Sequence, residues 1–200
     1  MFTDMNRRAK LVLFALVASL LLGVPTESSL ADGESWTVNE ANDGPWYEVA
    51  YGEGMWVAVG AAGSMYSTNN GQSWYLSEPP DGSWFSVAYG DGVFVGVAGT
   101  GDDRVMRSTD GGVTWDAVAE TNRWNRVAYG DGVFVAVSDQ GADRVMRSTD
   151  GGESWTSIAA SEANSWFGLA YGDGVWVATS MSGTNRVMRS TDGGATWAPI

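Results

Sequence analysis

From residue 46 onward, apolar and polar positions alternate in short bursts that end at glycine. Trp84 to Tyr89 alternates the large Phe85, Val87 and Tyr89 with the small Ser86 and Ala88, the period of two that predicts a strand with large side chains on one face. Gly90-Asp91-Gly92 follows, and Asp-Gly supplies the positive φ angles of a tight hairpin. Val93 to Ala98 is apolar at alternate and intervening positions alike, so it reads as a strand covered on both faces. A polar loop, Gly99 to Asp103, leads to a third strand over Arg104 to Ser108. Thr109 to Gly112 then turns the chain into a fourth strand over Val113 to Val118.

That unit recurs. Val87 to Val95 returns as Val127 to Val135 and, altered, as Val49 to Val57 and Leu169 to Val177. Arg104 to Trp115 returns at Arg144 to Trp155 and Arg186 to Trp197, with a divergent copy ending Ser67 to Trp74. The closing tryptophans 74, 115, 155 and 197 lie 41, 40 and 42 residues apart. A four-stranded sheet of about 40 residues cannot cover its own faces and must stack on its neighbours. The expected fold is therefore all-β: a β-propeller of four-stranded antiparallel blades, four in number, over about 46–78, 84–119, 124–159 and 166–200.

Residues 1–31 read as an address. Arg7, Arg8 and Lys10 precede the apolar run Leu11 to Val24, and Ser28-Ser29-Leu30-Ala31 supplies small residues for cleavage after Ala31. The run of 14 is short for a membrane span, which needs roughly 20 residues, so a secreted or periplasmic protein is expected, with an uncleaved anchor as the alternative. Gly33 to Val38 matches the end of a repeat unit and is expected to be a lone closing strand. It leaves one strand too many for four blades, so a truncated larger propeller is expected, with a closed four-bladed propeller carrying an extra edge strand as the alternative.

Composition narrows the chemistry. With no Cys and no His, thiol nucleophiles, disulfides and Ser-His-Asp mechanisms fall away. A net charge of −13 disfavours contact with nucleic acid. No metal site and no cofactor site is recognised; Asp102-Asp103 lacks a calcium-loop pattern.

The phrase Ser108, Asp110, Gly112, Thr114, Trp115 resembles the Asp-box, or bacterial neuraminidase repeat, Ser-x-Asp-x-Gly-x-Thr-Trp. It recurs as Ser148, Asp150, Gly152, Ser154, Trp155 and as Ser190, Asp192, Gly194, Thr196, Trp197. The first copy is Ser67, Asn69, Gly71, Trp74, with Asn at the Asp position. The resemblance implies a structural hairpin between third and fourth strands, on the face opposite an active site. It covers residues 46–200 and points to fold more than function. Asp-boxes occur in sialidases, xyloglucan-cleaving glycosidases, sorting receptors and a photosystem II assembly factor.

Sialidases of this kind hold substrate with three arginines and use a Tyr–Glu pair with an Asp acid/base; their Arg-Ile-Pro motif is missing here. Arg104, Arg144 and Arg186, like Arg107, Arg147 and Arg189, occupy equivalent repeat positions and read as structural, whereas Arg123 and Arg126 have no counterparts. No catalytic residue is assigned. Repeat-equivalent Trp46, Trp84, Trp124 and Trp166 read as packing residues. Ligand binding is expected on the variable loops joining second to third strands and blade to blade. The candidates there are Asp102, Asp103, Asp139, Asp143, Arg123 and Asn185, with Glu78, Asp81, Glu120 and Glu162 as further rim carboxylates. The expected function is an exported, non-catalytic propeller binding a protein or a carbohydrate through that face. The alternatives are a fragment of a glycoside hydrolase and a scaffold or assembly factor for a membrane complex.

Overall fold

The computed structural model describes residues 43–200. The address segment 1–31 and the expected closing strand at 33–38 lie outside the described residues. Sixteen strands form four antiparallel sheets in simple up-and-down order. Blade 1 holds β1 (Trp46–Gly52), β2 (Met55–Gly60), β3 (Gly63–Ser67) and β4 (Tyr75–Ser77). Blade 2 holds β5 (Trp84–Gly90), β6 (Val93–Ala98), β7 (Val105–Ser108) and β8 (Asp116–Val118). Blade 3 holds β9 (Arg126–Gly130), β10 (Val133–Val137), β11 (Val145–Ser148) and β12 (Thr156–Ile158). Blade 4 holds β13 (Trp166–Gly172), β14 (Val175–Ser180), β15 (Val187–Ser190) and β16 (Ala198–Pro199).

The first strand of each blade is the inner one: β5 lies between β1 and β9, and β9 lies against β13. The fourth strands are the most exposed. The β1–β2, β5–β6, β9–β10 and β13–β14 hairpins turn at Glu53-Gly54, Asp91-Gly92, Asp131-Gly132 and Asp173-Gly174, with φ positive at both residues. That geometry continues the right-handed twist of the strands and strongly favours Asp-Gly over bulkier pairs.

The core lies between blades. Val57 and Val59 of blade 1 pack with Trp84, Val87, Phe94 and Met106 of blade 2. Val95 and Val97 of blade 2 pack with Trp124, Val127, Phe134 and Met146 of blade 3. Val133, Val135 and Val137 pack with Trp166, Trp176 and Met188 of blade 4. This explains the doubly apolar second strands: each lies inside a stack with a neighbouring sheet over it. Inner-strand glycines allow the blades to approach. A Cβ at Gly52, Gly90 or Gly130 would collide with the ring of Tyr89, Tyr129 or Tyr171 from the next blade.

Two details differ from the sequence expectation. The fourth strand of blade 2 begins at Asp116 rather than Val113, because Val113 to Trp115 still belong to the Asp-box loop, where Asp110 accepts the Thr114 N–H at 3.0 Å. The alternation of β5 also breaks at its start. The register shifts between Trp84 and Ser86, leaving Phe85 as a bulged residue that does not share a face with Val87 and Tyr89.

Candidate functional site

The four Asp-boxes and the first-to-second-strand hairpins occupy one end of the blades; the loops that vary from unit to unit occupy the other. The conserved end is built from local hydrogen bonds. Ser108 donates to Asp110 Oδ1 at 2.7 Å and accepts the Gly112 N–H at 2.8 Å, while Thr114 donates its hydroxyl to Asp110 Oδ2 at 2.6 Å. Ser148 with Asp150 and Ser190 with Asp192 repeat the pattern. These bonds favour the carboxylate form. The Ser154 hydroxyl and amide hold Asp150, and the Thr196 hydroxyl with the Ser190 hydroxyl hold Asp192, each down at about 2. At Asp110 burial opposes the charge, but the bonds from Thr114 and Ser108 outweigh it and its pKa is also lowered. In blade 1 Asn69 keeps the loop by accepting from Ser67 and the Ser73 N–H, and its amide donates to Ser73 Oγ at 2.9 Å. Trp74, Trp155 and Trp197 donate to the carbonyls of Gly71, Gly152 and Gly194, while Trp115 reaches Ser77 Oγ of blade 1 at 3.3 Å. The Ser, Asp or Asn, and Trp positions of each box are thus committed to holding a turn or a neighbouring blade.

The variable end is different. The bulges shift register between Trp46 and Glu48, Trp84 and Ser86, and Trp166 and Gly168. In blade 3 the Asn125 N–H bonds to Val137 O while Arg126 pairs with the same residue. The residue after each tryptophan is thereby turned out of the sheet. Tyr47, Phe85, Asn125 and Phe167 converge on one cup of about 290 Å³. Tyr47 meets Phe85 edge-on, with ring centroids 5.9 Å apart. The preceding tryptophans 84, 124 and 166 stay fully buried beneath.

Charge surrounds this cup. The Arg123 guanidinium lies over the Phe85 ring, 5.3 Å from its centroid, and Nε lies 3.4 Å from both Asn125 Oδ1 and Asp139 Oδ1. One position further along the inner strands, Arg126 pairs with Glu48 across two blades, and Glu48 also accepts the Val87 N–H at 3.2 Å. Asn125 donates to Trp166 O at 3.0 Å, fixing its amide between blades 3 and 4. Among the described residues, the two arginines without repeat counterparts thus lie next to lining residues of this cup, Arg123 over Phe85 and Arg126 following Asn125, and all four blades contribute to it.

The sequence-derived candidates divide. Arg123 and Asp139 belong to this site. Asn185 is tied to Glu162 and Asn164, an arrangement that closes its own loop: Asn164 donates to Glu162 Oε2 at 3.0 Å and to Asn185 O at 2.7 Å, and Asn185 donates to Glu162 Oε1. Those amides hold the Glu162 pKa below its ordinary value. Asp102 and Asp143 are exposed on the outer loops and Asp103 is half-buried there. Burial raises the pKa of Glu120, whose backbone carbonyl accepts the Arg104 N–H at 2.9 Å. Of the repeat-equivalent arginines, Arg104, Arg144 and Arg186 brace their loops at Gly101 O, Gly141 O and Gly183 O, and Arg107 crosses to Gly151 O of blade 3. Tyr47, Phe85, Asn125 and Phe167 were missed. Their signal was a position that changes in type among otherwise matching strands: Tyr-Glu, Phe-Ser, Asn-Arg and Phe-Gly follow the four tryptophans.

Residues 65–76, the divergent Asn69 copy, match the BNR/Asp-box repeat family. The fold is a β-propeller that carries a BNR/Asp-box repeat at those residues. Solved propellers superpose on most of this chain. YCF48 bound to D1 peptide has a TM-score of 0.59 at 18% identity, covering 82% of this chain and 60% of that one. YCF48 from Cyanidioschyzon merolae has a TM-score of 0.59 at 14% identity, covering 78% and 55%. The computationally designed Ika4 protein has a TM-score of 0.61 at 13% identity, covering 78% and 97%. The chain therefore spans a little over half the length of the two YCF48 chains. Comparison with curated proteins gives no match. Among the described residues no helix is long and apolar enough to cross a membrane.

Proposed function

We propose that this Asp-box propeller is a non-catalytic binding module that takes a segment of a partner polypeptide on its variable face. The observation that carries the reading is the axial cup of Tyr47, Phe85, Asn125 and Phe167 with Arg123 and Arg126 beside it. Its volume of about 290 Å³ falls just short of the usual small-molecule pocket and suits one or two side chains. An apolar side chain entering such a cup, with the surrounding loops excluding water, is the anchor-and-rim arrangement of protein interfaces. The arginines, each about a third or more exposed, favour an acidic group next to that anchor. The solved YCF48 complex, in which a propeller of this architecture is bound to a D1 peptide, supports a peptide over a carbohydrate, and a scaffold or assembly role agrees with it. The basic-then-apolar segment over residues 7–24 supports action outside the cytoplasm.

Panning a random peptide display library against the 200-residue chain tests this. Enriched peptides should share an apolar residue beside an acidic one and bind Phe167→Ser at least tenfold more weakly, about 1.4 kcal/mol. Enriched peptides that bind Phe167→Ser and Arg123→Gln as well as the parent would overturn the proposal. So would a glycan array giving specific binding where the library gives none. Turnover of chromogenic glycosides would instead favour the hydrolase reading.

A further inference from the structure

Three of the four side chains that line the axial cup are aromatic: Tyr47, Phe85 and Phe167. Tyr47 and Phe85 meet at 68° with centroids 5.9 Å apart, so they form a corner, and Phe167 adds a wall from blade 4. An aromatic face is the negative pole of the ring quadrupole, and a cation within about 6 Å of the centroid is attracted to it. The Phe85 ring already receives one: the Arg123 guanidinium lies 5.3 Å from its centroid. The chain as a whole, at a net charge of −13, also draws cations toward it.

The polar groups around the cup decide which cation suits it. Glu48 accepts from Arg126 and from the Val87 N–H, and Asp139 faces Arg123 at 3.4 Å. Asn125, the polar lining residue, donates to Trp166 O and turns Oδ1 to Arg123 Nε. Each of the two arginines has its own carboxylate, so these four charges cancel in pairs. A lysine ammonium is strongly hydrated and brings three N–H donors, and every donor left unmet in the cup would cost a lost hydrogen bond. A trimethylammonium group has no N–H. Its charge is spread over methyl groups that pack like an apolar body, so it needs rings and no acceptor.

We infer that the cup binds a trimethylammonium group between Tyr47, Phe85 and Phe167. This rests on the reading of the cup as the binding site and names the chemistry of what enters it. The methyl shell supplies the apolar surface, the charge within it supplies the attraction to the rings, and an acid group on the same ligand meets Arg123 at the edge. Two sources carry that chemistry: a trimethyl-lysine side chain of a partner polypeptide and a free betaine.

Two paired titrations of the 200-residue chain test this. The first sets glycine betaine against tert-butylacetate, which keeps the shape and the carboxylate but has carbon in place of the charged nitrogen. The second sets a short peptide holding aspartate and trimethyl-lysine against the same peptide with unmodified lysine. At least tenfold tighter binding of the trimethylammonium member is expected, with its N-methyl proton resonance moved upfield by the rings. Success of the betaine pair alone assigns the site to a free solute, and success of the peptide pair alone assigns it to a partner's side chain. Phe85→Leu and Phe167→Leu keep an apolar side chain, so each should weaken the trimethylammonium member severalfold at a parent-like melting temperature. Failure of both pairs overturns the inference, whether the controls bind equally well or nothing binds. Tight binding unchanged in both leucine variants overturns it too. The peptide reading is decided separately, by whether library-enriched peptides lose affinity for Phe167→Ser.

Discussion

The two ends of the blades differ in what repetition does to them. At the Asp-box end, corresponding residues do corresponding work: Asp110, Asp150 and Asp192 each accept from a hydroxyl and an amide four residues on. At the loop end, the position after each tryptophan is aimed at a common axis by a bulge and differs in chemistry from blade to blade. Structure that serves stacking must recur in every blade. A site at the axis needs several kinds of group at once, so it must break the repeat.

The sharpest test of that contrast uses adjacent residues. Trp166 is fully buried between blades 3 and 4, and Phe167 faces the cup. Trp166→Ala should cost about 3–5 kcal/mol in denaturant unfolding, whereas Phe167→Ala should cost about 1 kcal/mol or less while weakening peptide capture. A similar loss for both would mean that the cup is core. The inner-strand glycines give the next largest effect. Gly130→Leu drives a side chain into the Tyr171 ring and should destabilise by about 3 kcal/mol, while Gly172→Leu, whose Cβ would meet nothing within 4 Å among the described residues, should leave the melting temperature near that of the parent.

Within the conserved end, Ser148→Ala removes both the acceptor of the Gly152 N–H and a donor to Asp150. It should cost about 1–2 kcal/mol, read as a lower denaturant midpoint at unchanged slope. The smallest effect is pH-dependent. Asp150 and Asp192 titrate at about 2 in the folded chain against an ordinary 3.8, so the folded state binds fewer protons between those values. Their contribution is full above roughly pH 4 and is lost as pH falls toward 2. Asp150→Asn should therefore shrink the drop in melting temperature between neutral pH and pH 2. Asn69→Asp should enlarge it slightly, by giving blade 1 the titrating group its box lacks. A drop unchanged by either substitution would place the acid-sensitive bonds elsewhere.

Much of this was legible beforehand because local patterns have local physical causes. Asp-Gly between alternating runs has few conformations other than the hairpin seen at Asp91-Gly92. The apolar run Val93 to Ala98 could lie only between two covered faces, and its Val95 and Val97 pack beneath the next blade. The repetition of both across four units made the blade count readable. The sequence also marked Arg123 and Arg126 as unrepeated; Arg123 lies over the Phe85 ring and Arg126 follows Asn125, and Phe85 and Asn125 both line the cup.

What the sequence determined by itself was the unit: strand order, turn chemistry, the Asp-box and the stacking that its apolar faces require. Only the tertiary structure decided which residues meet. A strict period of two placed Phe85 with Val87 and Tyr89, and a one-residue bulge, costing no change in composition and so leaving little trace in the pattern, sent Phe85 to the axis instead. Glu48 and Arg126 are 78 residues apart, and Tyr47 and Phe167 belong to the first and fourth blades. Proximity of that kind is created by the rotation from blade to blade, which no local pattern encodes.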